Sequence, residues 1–94
     1  IDVVEVKVLD TERTVYRELA LIKMKAVDPT TRSEIINYAS IFRANILDIG
    51  KETITVEITG TPDKIEAFKN LVQHYGVAQL ARTGVLALPR GSET

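Results

Sequence analysis

Arg32 and Asn45 are the first pair in this chain whose residue types could do chemistry. An arginine and an asparagine beside a glycine-rich loop can hold a phosphoryl group, because backbone N–H groups reach its oxygens where no Cβ intervenes. The loop here reads VDPTTR, residues 27–32, with no glycine, an acid, and a proline that lacks an N–H. Arg32 therefore reads as a solvated residue at a helix start and Asn45 as a strand-edge amide, and no catalysis is expected from them. His74, in QHYG, has neither a second histidine nor any cysteine to share a metal with. It suits the negative end of a helix instead. Phe42 and Phe68 could stack on RNA bases from central strands, but both fall on helical stripes. Arg82 and Arg90, in ARTGVLALPRG, are left as groups that could grip a partner's carboxylate bidentately, with a plain surface role as the simpler reading.

Composition narrows the classes further. With 94 residues, 45% of them apolar, the chain suits one compact domain. Twelve basic and 13 acidic residues give a net charge of -1 without blocks of like charge, so no nucleic-acid or membrane partner is expected. The absence of cysteine excludes disulfides and thiolate chemistry. The apolar runs are too short to span a bilayer, and IDVVEVKVLD does not read as a signal peptide. A soluble, cytoplasmic protein is expected.

The elements that would position these groups follow from periodicity. Residues 1–9 alternate like a strand and DTERT interrupts them, so residues 1–15 read as the end of something earlier plus a linker. YRELALIKMKA, residues 16–26, gives a strand with Ala20, Ile22, Met24 and Ala26 on one face and Leu19 and Leu21 on the other. Thr31 and Glu34 form a T-x-x-E capping box for a helix to about Phe42, with Ile35, Ile36, Ala39 and Phe42 inward. A strand at residues 44–49, a break at Gly50-Lys51 and a partner strand at residues 52–59 predict a hairpin. Thr61-Pro62 caps a second helix with Ile65, Phe68, Leu71, Val72 and Tyr75 inward and Gly76 as its stop. Residues 77–88 supply the last strand, and PRGSET reads as a disordered polar tail.

The order β-α-β-β-α-β predicts an α+β, ferredoxin-like domain over residues 16–91: a four-stranded antiparallel sheet with both helices on one face, preceded by an extra N-terminal strand. The other face is left open. Leu19, Leu21, Leu86 and Leu88 would make part of it more apolar than water favours, so a covering partner is expected there, with Arg82 and Arg90 nearby as interface candidates.

The segments RELALIKMKA, FRANILDI, VEITGTPDKIEAF and ARTGVLALPRG, in that order and spacing, closely resemble the C-terminal domain of the small, regulatory subunit of acetolactate synthase. The leading residues resemble the end of that subunit's preceding ACT domain. The resemblance implies a non-catalytic chain that activates a catalytic large subunit and supports its inhibition by a branched-chain amino acid such as valine. Thiamine diphosphate, Mg²⁺ and FAD would belong to the large subunit, with no cofactor in this chain, and a homodimer is implied. The family's effector loop lies in the ACT domain and matches no residue here. A free-standing amino-acid sensor on the same fold is the alternative reading.

Overall fold

The structure is a computed structural model that describes residues 13–91. The expected extra N-terminal strand, residues 1–9, lies outside the described residues, as do residues 92–94.

β1 (Thr14–Lys25) is the long central strand. Its even-numbered residues Ala20, Ile22 and Met24 are fully buried, while Leu21 on the other side is exposed, the period-2 pattern of a sheet covered on one face. α1 (Pro29–Ile41) begins two residues before the expected cap. The cap is Asp28, whose carboxylate accepts the Thr31 N–H at 3.1 Å and the Thr31 hydroxyl at 2.8 Å. These bonds, the hydroxyl's first, hold the Asp28 carboxyl below its usual range. The Asp-Pro pair explains the earlier start. Proline at the first helical position has φ pre-set and needs no N–H, and aspartate supplies the oxygen. Glu34 is free of the anticipated capping box and accepts the Tyr75 hydroxyl.

α1 ends on a left-handed residue that is not glycine. Arg43 has φ of 58°, the Arg43 N–H donates to Ser40 at 3.1 Å and the Ala44 N–H to Ala39 at 2.7 Å, the paired bonds of a Schellman cap. β2 (Asn45–Ile49) and β3 (Thr53–Gly60) then form the hairpin. The Gly50 N–H donates to Thr53 at 2.8 Å, so the break is Lys51-Glu52, one residue later than expected. α2 (Pro62–Val72) is capped by the Thr61 hydroxyl, which accepts from the Lys64 N–H at 3.4 Å. A single 3-10 turn, Gln73–Tyr75, leads to Gly76 at φ 99°, where a Cβ-bearing residue would be strained.

The sheet order is β2-β3-β1-β4, with β4 (Val77–Arg82) at one edge and every pairing antiparallel. This is the ferredoxin-like arrangement. The expected last strand is divided: β5 (Leu86–Pro89) pairs separately with the first residues of β1. Pro89, assigned to the tail by sequence, closes β5, and the Arg90 N–H donates to the Arg13 carbonyl at 2.8 Å.

The core lies between the sheet and the helices. Phe68 is fully buried and meets Phe42 edge-on at 5.2 Å between ring centroids. Ile36 and Leu71, expected inward, are 42% and 36% exposed. The helices turn inward at Ile35 and Ala39 and at Ile65, Phe68 and Val72. That i, i+3, i+4, i+7 stripe leaves both residues at its margin.

Candidate interaction surface

Cross-strand pairing decides which side chains share the open face of the sheet. Leu19, Leu21 and Lys23 of β1 stand opposite Thr59, Glu57 and Thr55 of β3. On the other flank Leu21 and Lys23 face Ala81 and Gln79 of β4. Further along, Val15 pairs with Leu88 and Arg17 with Leu86. Antiparallel partners point to the same side, so Leu19, Leu21, Leu86 and Leu88 lie on one face. Leu86 and Leu88 are 70% and 72% exposed. A hollow of 510 Å³ lined by Leu21, Lys23, Thr55, Gln79, Leu80 and Ala81 occupies the middle of this face. Towards β2 the face turns polar, where the Asn45 amide donates to Glu57 at 3.2 Å.

Arg82 finds its bidentate carboxylate within the chain. Its Nε donates to Glu18 at 2.9 Å and its Nη2 to the same carboxylate at 2.8 Å, while Nη1 donates to Glu66 on α2. Glu18 is only 5% exposed. The Arg82 hydrogen bonds hold both glutamates below the usual carboxylate range, Lys69 assisting at Glu66, and they raise Arg82 further. The guanidinium thus ties β4 to β1 and α2, and the fork considered for a partner is used internally.

The split in the last strand sits beside this clamp. The Thr83 N–H donates to the Leu19 carbonyl at 3.0 Å, and the Thr83 hydroxyl, in place of its own carbonyl, accepts the Leu19 N–H at 3.1 Å. The hydroxyl also donates to the Gly84 carbonyl at 2.8 Å, and Gly84 takes φ of 86°. The chain steps out of the ladder over residues 83–85 and rejoins β1 as β5. Arg90 is exposed at its end, beside a 420 Å³ hollow shared with Thr14, Tyr16, Arg17, Thr61, Pro62 and Asp63.

The groups tested for chemistry have structural tasks. Arg32 donates to the Gly50 and Lys51 carbonyls, tying α1 to the hairpin turn. His74 lies against the Tyr75 ring with centroids 3.9 Å apart. Burial, then the bond to Glu34, pushes the Tyr75 hydroxyl well above its ordinary pKa. Among the described residues no cluster of three or more histidines and carboxylates could hold a metal, and no helix is long and apolar enough to cross a membrane. Sequence reasoning missed the Glu18–Arg82–Glu66 cluster. A signal was present: Glu18 shares the inward parity of Ala20, Ile22 and Met24, and a carboxylate there requires a cation.

A family profile described as the small subunit of acetolactate synthase matches residues 17–91. The chain is 47% identical over its whole length to a probable acetolactate synthase small subunit of Methanothermobacter thermautotrophicus, covering 56% of that protein. It is 42% identical over 97% of its length to the acetolactate synthase small subunit of Mycolicibacterium smegmatis, covering 53% of it. The crystal structure of the Thermotoga maritima acetolactate synthase small subunit superposes with a TM-score of 0.79 at 40% identity, covering 87% of this chain and 50% of that one. The chain thus spans about half the length of these relatives.

Proposed function

Because this chain belongs to the family of acetolactate synthase small subunits, we propose that it is the C-terminal domain of such a regulatory subunit and acts by contacting a catalytic large subunit. The observation that carries this reading is the open sheet face, with exposed leucines in a fold whose candidate chemical groups are otherwise engaged. A regulator shifts its target only through contacts that differ between the target's states, and this is the surface available for them. The expected boundary at residue 15 moves back, since Thr14 and Val15 belong to β1; the residues before them would hold the end of a preceding ACT domain, where a branched-chain amino acid would bind, and the linker out of it. Thiamine diphosphate, Mg²⁺ and FAD would be held by the large subunit.

The test is reconstitution. The purified large subunit of the same organism should form acetolactate from pyruvate faster when this chain is added, while this chain alone should show no turnover. Absence of any association between the two would sink the reading.

A second copy is proposed to cover the middle of the open face, around Leu19, Leu21 and the central hollow. Burying apolar surface contributes about 25 cal/mol per Å², offset by the loss of translational and rotational freedom. Sedimentation at high micromolar concentration should therefore show a dimer. A strict monomer there would remove the second copy from this account.

A further inference from the structure

Among the described residues β4 and β5 each pair only with β1, but the stretch of β1 opposite β5 has no strand on its other side. β5 pairs with Thr14–Arg17, whereas the pairing of β3 with β1 begins only at Glu18 opposite Gly60. Among the described residues, the domain therefore continues at this end as a two-stranded arm. Two-stranded ribbons are marginal by themselves in water, and this one is held because β1 runs unbroken into the core. The Arg82 clamp and the Thr83 step lie at its base. Its open side presents Leu86 and Leu88, about 70% exposed, with Val85 48% exposed beside them. Its own described residues carry arginine and no carboxylate: Arg17 and Arg90 flank the leucines, with Asp63 of α2 at the hollow they share.

We propose that this arm docks the domain on the catalytic subunit, setting Leu86 and Leu88 into an apolar groove with an acidic rim. The inference rests on the reading above that a catalytic subunit is the partner. The charge selects between occupants. Two copies meeting arm to arm would bring arginine against arginine, a repulsion that complementary surfaces avoid. An acidic rim would instead pair with Arg17 and Arg90 while the leucines lose water at the centre, the arrangement of an apolar core within a polar border. The dimer contact around Leu19 and Leu21 and the arm contact then occupy different stretches of the same face.

The test is to titrate this chain into the purified large subunit of the same organism by calorimetry, alongside Leu88→Asp, Arg17→Glu/Arg90→Glu and, on the far edge strand, Leu47→Asp. Leu47 is also exposed, at 54%, and serves as the control. Thermal unfolding checks that each variant is folded. Leu88→Asp should weaken binding by at least about tenfold, as expected for a buried anchor. The double charge reversal should weaken it and flatten its dependence on salt, and Leu47→Asp should bind like the parent. Sedimentation of all variants should match the parent. Parental affinity for both arm variants, with the parent itself binding, overturns the arm and leaves the regulatory reading standing. A Leu88→Asp chain that binds normally but sediments as a monomer gives the arm to a second copy and overturns it equally. No binding by the parent overturns both readings.

Discussion

Replacing Phe68 with alanine is expected to lower the stability of this domain by about 3–5 kcal/mol, the cost of truncating a fully buried aromatic. Phe68 has no exposed surface, sits on the inner stripe of α2 and meets the Phe42 ring edge-on. Its removal therefore takes away transfer energy, opens a cavity under the helix, and strips Phe42 of its aromatic neighbour. Domains of this size retain only about 5–15 kcal/mol in total, so the variant should approach the folding limit. The melting temperature should fall by at least about 12 °C, read by circular dichroism. A fall under about 5 °C would mean that α2 is not seated on the sheet through this ring.

The second large effect concerns Arg82 and has a pH signature. In the parent, the guanidinium holds Glu18 and Glu66 below the usual carboxylate range. Groups with a depressed folded-state pKa stabilise fully above the unfolded value, about 4.3 for glutamate, and lose that contribution as pH falls through the folded value. Parent stability should therefore hold from neutral pH down to about 5 and decline below that. Arg82→Ala leaves the Glu18 carboxylate at an inward position without its cation, a strongly destabilising situation at pH 7. In that variant burial favours the protonated acid, so lowering the pH relieves it, and the gap to the parent should narrow towards pH 4. Adding Glu18→Gln to Arg82→Ala should recover part of the loss at pH 7. Urea unfolding from pH 4 to 7 reads all three chains, and a gap that stays constant with pH would refute the clamp.

Much of this architecture was legible because it is written in short-range signals. The inward parity of Ala20, Ile22 and Met24, the Thr61-Pro62 cap and the Gly76 stop each lie within a turn or a strand of what they control. The α1 cap was misread because two candidate caps, Asp28 and Thr31, stand three residues apart, and only the bond between them shows which one serves the helix. The end of α1 gave no glycine, since Arg43 takes the left-handed position itself. The strand split turns on the Thr83 hydroxyl bonding to Leu19, 64 residues away, and Arg82 meets Glu18 across the same separation. Such pairings follow from register, which hydrophobic alternation alone does not fix across distant strands. The apolar face was readable in advance because parity alone placed Leu19 and Leu21 together; that β5 forms an arm was not.

The central position of β1 has a consequence for the chain while it is being made. Among the described residues its partners β3, β4 and β5 all follow it in sequence, and Ala20 pairs with Arg82. At cellular rates of about 5–20 residues per second, the 57 residues from Lys25 to Arg82 take roughly 3 to 11 s to synthesise. Through that interval LALIKM, residues 19–24, is exported with an apolar inward face and no edge partner from β4. Short apolar segments of this kind are where nascent chains associate wrongly. Glu18 before the run and Lys23 and Lys25 within and after it place charge where a stray strand would have to pair, the arrangement of charges around an apolar strand that disfavours aggregation before its partners arrive.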